Sequence, residues 1–359
     1  MTTATGVGLL DVTADDGVRL TADHYRTSLE RPARGLVLIR TPYGRHHYAA
    51  QAGPWLGSGY EVIVQDVRGR YGSGGQWDPY ASEGPDGAAT VRRLAECGVL
   101  TGPLILAGAS YDAHCAVECA RSLNANPSGP ATAPPVAVVA MVPALGLHET
   151  AYGPDGSPRL EDRIGWWHQH GFGAESRPPL TEAELRRRHR LSAQRGMDWV
   201  RRDLVTDTQY GTGSAAKWQR LWDAQPLDLW SRYGTLSAPL LVISGERDFF
   251  TAEALDLAEA WGRQRQSTRV EVLWGPWGHG LAGDLDAGTR HALKQQGGLL
   301  DRIDEFLVGA QKPTEDPVAH RTSAQPPTRT VWRWRQESNG SAWTWEPTTL
   351  SHLRPHGEA

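Results

Sequence analysis

One short stretch, Gly108-Ala109-Ser110-Tyr111-Asp112-Ala113, constrains the fold more than any other part of this chain. It follows the apolar run Leu104-Ile105-Leu106-Ala107, which reads as a buried parallel strand, and it precedes residues 113–120, which read as a helix. A serine on a sharp strand-to-helix turn with small neighbours is a nucleophile elbow, in which the turn lifts the hydroxyl to the C-terminal edge of a sheet, above the helix N-terminus. Gly108 and Ala113 must be small because strand and helix pass close together there. Gly-x-Ser-x-x-Ala arises often by chance, so the reading depends on what lies downstream.

The rest of the chain supplies a matching rhythm. Residues 18–25, 35–39 and 61–66 read as strands before the elbow strand, and 135–142, 240–244 and 270–274 as strands after it. Residues 85–96 have helical character, and 299–308 form an amphipathic helix that should close the core. Apolar strands spaced by helices imply a mainly parallel sheet covered on both faces. The rhythm stops between 148 and 236, a polar, helical stretch carrying Trp166, Trp167, Trp199, Trp218, Trp222 and Trp230. The expected fold is therefore α/β, an α/β-hydrolase fold of mostly parallel strands with helices on both faces. Residues 1–147 and 237–310 would form the core and 148–236 a helical cap. Residues 311–359 read as a Pro/Thr-rich linker and a short β-hairpin, in which Val331-Trp332-Arg333-Trp334-Arg335 and Ala342-Trp343-Thr344-Trp345 alternate around Asn339-Gly340.

Composition narrows the function. A chain of 359 residues is long enough for one α/β domain with an insertion, and a net charge of −4 with a single arginine cluster at 186–188 gives no nucleic-acid face. No apolar stretch reaches membrane-spanning length, and Met1-Thr2-Thr3-Ala4-Thr5 has neither the basic nor the apolar region of a secretion signal. Three cysteines argue against a disulfide scaffold, and a cytoplasmic protein is expected. Cys115 and Cys119, one helical turn apart, read as packing residues. His46-His47 and His168-x-His170 resemble metal ligands only superficially, with no acid or cysteine at supporting spacing. No phosphate loop occurs, and residues 69–75 do not lead from a strand into a helix as a dinucleotide fingerprint would. No metal and no cofactor are expected.

A serine hydroxyl is a poor nucleophile until a base takes its proton and a third group orients that base. The chain order required by this fold is serine, acid, histidine. The strand at 240–244 runs into Gly245-Glu246-Arg247-Asp248, and the strand at 270–274 into Gly275-Pro276-Trp277-Gly278-His279-Gly280. Asp248 is assigned as the orienting acid, with Glu246 as its rival, and His279 as the general base. The oxyanion of the tetrahedral intermediate needs donors. One is the backbone N–H of Tyr111. The loop Arg40-Thr41-Pro42-Tyr43-Gly44-Arg45 lacks the glycine run that offers a second backbone donor, and Tyr43 is either a packing residue or a phenol donor in its place. Trp166, Trp167 and Phe249 are candidate substrate-binding residues.

Five motifs in order carry a resemblance. They are Thr41-Pro42-Tyr43-Gly44-Arg45, Asp66-Val67-Arg68-Gly69-Arg70-Tyr71-Gly72-Ser73-Gly74-Gly75, Glu83-Gly84-Pro85-Asp86-Gly87, Gly108-Ala109-Ser110-Tyr111, and Gly275-Pro276-Trp277-Gly278-His279. From about 15 to 347 the chain resembles the cocaine esterase and X-prolyl dipeptidyl aminopeptidase family of serine hydrolases. The resemblance implies a triad of Ser110, Asp248 and His279 with Tyr43 and the Tyr111 N–H as oxyanion donors. The 66–75 segment is read as bracing the sheet edge beneath the site. Two departures stand out. Asp112 occupies a position where the family has an apolar or small residue, and it is expected to point outward from its helix. The family's long C-terminal β-sandwich is represented only by 331–345, so the missing pocket wall would have to come from elsewhere, such as a second copy of the chain in a homodimer.

The function expected is hydrolysis of an ester or amide of a small or peptide-like molecule through an acyl-enzyme. Esterase is favoured over aminopeptidase, because the cap acids Glu149, Glu161 and Asp162, which would have to hold a substrate ammonium, read as solvated surface. Two other readings stay open. The tryptophan-rich cap and Asp112 suggest acyl transfer, cyclisation or isomerisation of a bulky substrate, and the fold also serves binding proteins with an idle triad.

Overall fold

The computed structural model describes residues 6–27, 32–125, 135–265, 268–311, 329–337 and 342–354. The linker from 312 onward and the Asn339-Gly340 turn lie outside the described residues. The strands are β1 (Val7–Thr13), β2 (Arg19–Tyr25), β3 (Leu36–Thr41), β4 (Glu61–Asp66), β5 (Leu104–Ala109), β6 (Ala137–Met141), β7 (Leu240–Arg247), β8 (Val270–Gly278), β9 (Arg329–Gln336) and β10 (Trp343–Thr348). They form one sheet in the order β1-β2-β4-β3-β5-β6-β7-β8-β9-β10. From β4 to β9 every pairing is parallel, and β1, β2 and β10 are antiparallel to their neighbours.

Parallel strands are buried on both faces, which explains why β3 is buried along its whole length and reads as an unbroken apolar run up to Arg40. The α-helices are α1 (Ala49–Gly57), α2 (Glu83–Glu96), α3 (Tyr111–Ala125), α4 (Leu147–Ala151), α5 (Leu160–Trp166), α6 (Glu182–Arg202), α7 (Asp207–Tyr210), α8 (Ser214–Asp223), α9 (Leu229–Tyr233), α10 (Thr251–Ala260), α11 (Ala287–Gln295), α12 (Gly298–Ala310) and α13 (Leu350–Leu353). On one face of the sheet α2, α3, α9 and α10 bury Val91, Val117, Tyr233 and Leu257. On the other, α1, α11 and α12 bury Trp55, Leu293 and Phe306. Because the parallel strands share one direction, the segments leaving β3, β5, β7 and β8 emerge at a single edge, and the candidate residues lie on those segments.

Helices α4 to α8 carry their own apolar core, built from Trp167, Phe172, Val200, Trp218, Leu221 and Trp222. This unit is tied to the sheet through the segment after β4. The buried Arg70 donates to the Pro42 carbonyl (2.8 Å), the Gly173 carbonyl (2.8 Å) and Ser176 Oγ (2.9 Å). Tyr71 and Trp77 add bonds to the Ala174 and His170 carbonyls, at 2.7 and 2.8 Å. Hydrogen bonds from a charged donor contribute about 1.5–3 kcal/mol each, so one guanidinium that grips both sides couples the cap firmly to the loop carrying Tyr43. The 66–75 segment therefore does more than brace the sheet edge.

The C-terminal hairpin departs from expectation. The sequence suggests a fragment of a separate β domain, but β9 runs parallel to β8, with Val272 opposite Val331, and continues the main sheet. A two-stranded hairpin is marginal alone. This one buries Trp334 completely, stacked on Trp343 at 4.4 Å between ring centroids and facing Trp277 of β8 at 6.3 Å. Strand β1 was not anticipated. It sits at the outer edge with Val7 and Leu9 exposed, so neither alternation nor a continuous apolar run marks it.

Candidate active site

The elbow is built as the sequence predicts, and its residues are dictated by contact. A Cβ on Gly108 would lie 2.3 Å from the backbone carbon of Asp112, which only glycine avoids. Ser110 adopts a left-handed conformation at φ +58°, a strained state for a residue with a side chain. The turn is fixed by Ser110 N–H donating to the Met141 carbonyl (2.9 Å) and by the Ser110 carbonyl accepting from Ala113 (3.1 Å) and Ala144 (3.2 Å). Ser110 Oγ is thereby held at the sheet edge over the start of α3.

His279 follows β8 and reaches Ser110, 169 residues earlier in the chain. Its Nε2 lies 2.9 Å from Ser110 Oγ and its Nδ1 2.8 Å from Asp248 Oδ1. An ionised carboxylate only accepts, so Nδ1 carries the proton and Nε2 is left to accept from the serine. Asp248 has a fully buried side chain whose other oxygen accepts from Ser244 Oγ (3.0 Å). Phe249 stacks on the imidazole (4.3 Å, 23°) and Phe250 meets it edge-on (5.5 Å). The rival acid Glu246 is exposed and pairs with Arg333 at 2.6 Å, away from the histidine.

Tyr43 lines the same cavity as Ser110. Trp166 Nε1–H donates to its phenol oxygen (3.1 Å), and an indole N–H only donates. The phenol's own proton is therefore free to point toward the serine. Burial, with the nearby Asp112 second, holds the phenol above its usual pKa, so it stays a donor. Asp66 secures the following residues by accepting from the Arg45 backbone N–H (2.7 Å) and guanidinium (2.5 Å). Tyr111 opens α3, where the first N–H groups lack intrahelical acceptors. Its buried side chain is turned away, accepting from Tyr80 N–H (2.7 Å) and donating to Glu83 (2.5 Å).

Asp112 is not the outward-pointing residue the sequence suggests. It is 4% exposed, and its Oδ2 accepts from Tyr48 Oη–H at 2.5 Å, while Oδ1 has no partner among the described residues. Tyr48 in turn contacts Thr41 Oγ1 (2.7 Å), which accepts from the Tyr43 backbone N–H (3.1 Å). Burial raises the Asp112 carboxyl from 3.8 to about 7, against the lowering effect of the Tyr48 and Thr41 bonds. The folded chain then holds a proton that the unfolded chain has released between pH 4 and 7. Stability attributable to Asp112 is present at pH 4 and lost as pH rises through 7. The Tm of Asp112→Asn minus that of the wild type is therefore expected to grow from pH 4 to pH 8 in a thermal-shift series. A pH-independent difference would mean that Asp112 does not titrate in this range.

A cavity of about 770 Å³ opens over Ser110 and His279. Ile39, Trp55, Leu299 and Ile303 line its core side, and Arg163, Trp166 and His170 its cap side. Of the three candidate substrate-binding residues, Trp166 and Phe249 line this cavity. Trp167 does not. It is 1% exposed and packs on Phe172 and Trp218 in the cap interior, because successive helix residues point about 100° apart. Asp162 lies on the cavity rim, whereas Glu149 is engaged by Leu227 N–H (2.6 Å) and Glu161 is exposed elsewhere. Arg163 was not anticipated. The only sequence signal for it is its spacing of three residues from Trp166, which puts both on one helix face. His46 and His47 contact each other, and His168 and His170 bond Tyr210 (2.9 Å) and Ser176 (2.8 Å). Among the described residues no group of three metal-ligating side chains gathers.

A mostly parallel sheet with helices on both faces, a helical cap, and a serine elbow at the C-terminal edge define an α/β-hydrolase fold. The chain belongs to the X-Pro dipeptidyl-peptidase (S15) family, whose model matches residues 16–281. Cocaine esterase of Rhodococcus sp. (strain MB1 Bresler) is 27% identical over 302 residues, 74% of this chain and 47% of that protein, so the chain spans about half its relative's length. An aminopeptidase from the marine sediment archaeon Thaumarchaeota archaeon has a similar structure (TM-score 0.61, 16% identity, covering 95% of this chain and 58% of that one). So does a selenomethionine-labelled alpha-amino acid ester hydrolase (TM-score 0.61, 15% identity, with the same coverages). An esterase of Pyrococcus furiosus aligns at a TM-score of 0.51 with 15% identity, over 85% of this chain and 91% of that one. At these identities the structural likeness concerns the fold.

Proposed function

We propose that this chain is a serine hydrolase that cleaves an ester through an acyl-enzyme on Ser110. The observation that carries the reading is the single imidazole bridging Ser110 Oγ and a buried carboxylate at 2.9 and 2.8 Å. Ser110 Oγ attacks the carbonyl carbon as its proton passes to His279 Nε2. Asp248 remains ionised and stabilises the imidazolium. Tyr43 Oη–H and Tyr111 N–H donate to the oxyanion. Collapse expels the alcohol, which takes the proton from His279, and a water deprotonated by the same imidazole then releases the acid and frees Ser110.

The surroundings favour an ester over a peptide N-terminus. An aminopeptidase must hold an ammonium near the serine, yet of the three cap acids only the exposed Asp162 borders the cavity, and the buried Arg163 cation sits beside it. One motive for the bulky-substrate reading weakens, because Trp167, Trp218 and Trp222 are spent on the cap's own core. The test is labelling with a fluorophosphonate followed by mass spectrometry. One adduct on Ser110 is expected, absent in His279→Ala, and an unlabelled Ser110 in the folded wild type would refute the acyl-enzyme.

A further inference from the structure

We infer that Arg163 is a carboxylate-binding site, and that the ester this chain cleaves carries a free carboxylate beyond its scissile carbonyl. The inference rests on the hydrolase reading and names its substrate class.

The other two arginines buried among the described residues are engaged by acceptors. Arg70 has three oxygen acceptors, and Arg40 has the Gln65 amide oxygen at 2.8 Å, the Glu83 carbonyl and Asp86 at 3.9 Å, with only its Nη2 left without a hydrogen bond, while the half-buried Arg159 has Glu253 at 2.8 Å. Arg163 is 4% exposed and lines the cavity, yet among the described residues its guanidinium has no hydrogen-bond acceptor and no carboxylate within ion-pair distance. The Phe250 ring lies 5.6 Å from its guanidinium carbon to the centroid. Burying an unpaired charge is costly, so chains pair such groups or leave them for a ligand. The groups that act on Arg163 electrostatically are Tyr80, Asp162, Tyr43 and Arg159. Of these, Asp162 is exposed at the rim, Arg159 is itself a cation already matched by Glu253, and the two phenols are neutral. Among the described residues no carboxylate forms an ion pair with it.

Position supplies the substrate geometry. Arg163 and Trp166 lie three residues apart on α5, and Trp166 is the residue bonded to Tyr43. The anion would therefore sit about one helical turn, on the order of 5 Å, from the oxyanion site. A planar guanidinium matches a carboxylate through two parallel bonds. Among the described residues lining the cavity Arg163 is the one Arg or Lys, and one guanidinium fits one negative charge, which favours a carboxylate over a phosphate dianion. The class is the hemi-ester of a short dicarboxylic acid or an ester of similar spacing.

The experiment compares two activated esters of equal shape, 4-nitrophenyl hemiglutarate and 4-nitrophenyl 5-methylhexanoate, in which an isopropyl group replaces the carboxylate. The wild type is expected to prefer the hemiglutarate in kcat/KM, and Arg163→Met to lower that preference by about 10- to 100-fold, the range of charged hydrogen bonds. Arg163→Lys should keep part of it. Any effect relayed through Tyr43 acts on both esters, so the ratio isolates the anion. Glutarate should slow fluorophosphonate labelling of Ser110 in the wild type but not in Arg163→Met. The Tm of Arg163→Met should not fall, since no internal partner is lost. A labelled Ser110 with no preference for the hemiglutarate, or a preference that survives Arg163→Met, would overturn the anion site and leave the hydrolase reading intact. An unlabelled Ser110 would instead end both.

Discussion

Ser110→Ala is expected to lower kcat for an activated ester by about 10⁴- to 10⁶-fold, and His279→Ala by nearly as much. The physical reason is that neither residue has a function without the other. The hydroxyl is inert unless Nε2 takes its proton, and the imidazole has nothing to activate once Oγ is gone. The two losses should therefore not multiply, and the double variant should be no slower than about threefold below either single one. This separates a proton relay from two independent binding contacts. The loss should not reflect unfolding. Position 110 holds φ at +58°, and alanine bears the same kind of backbone strain as serine, of order 1–3 kcal/mol in both. Steady-state kinetics with matched circular dichroism of the three variants checks this. Retention of more than a few per cent of activity by Ser110→Ala, or a double variant showing the product of the single losses, would mean that the bridging imidazole is not the source of reactivity.

What was legible in the sequence follows a physical pattern. The elbow could be read because its strand is continuously apolar and because glycine at 108 is enforced by backbone contact with Asp112. Asp248 and His279 could be placed because both follow buried parallel strands, and parallel strands deliver their following loops to one edge. What failed depends on which way a side chain turns, and one-dimensional patterns do not carry that. Asp112 looked like a solvent-facing helix residue, but the partner that receives it, Tyr48, lies 64 positions away. Trp166 and Trp167 looked alike, and the step of about 100° between neighbouring helix residues sends one to the cavity and the other into the cap core. Arg163 sits among charged helix residues, and its isolation is visible only when every potential acceptor has a position. The hairpin's tryptophans announced a strand pair, while the acceptor of that pair, the free edge of β8, could be seen only in three dimensions.

Tyr43→Phe should reduce kcat by about 10²- to 10³-fold, the usual effect of removing one oxyanion donor, with a much smaller change in KM. The split between the two constants is the informative part, because an oxyanion exists only after attack and a donor aimed at it binds the transition state rather than the ester. Phenylalanine keeps the ring that meets His170 edge-on at 4.9 Å, so the loop should hold its shape. The variant deletes only the hydroxyl and leaves the Tyr111 N–H as the remaining donor, which sets the floor of residual activity. The wild-type phenol should contribute no alkaline limb to the pH profile of kcat. Burial and Asp112 keep it protonated, outweighing the downward pull of Trp166, Ser110 and Arg163. Trp166→Phe offers a second check through the same oxygen. It removes the indole donor that occupies one side of the phenol and should lower kcat by roughly tenfold or less, since it loosens the orientation of a donor without deleting it. If Tyr43→Phe instead raised KM and spared kcat, the phenol would be a wall of the substrate pocket, and the second oxyanion donor would have to be sought among the backbone groups of 41–45.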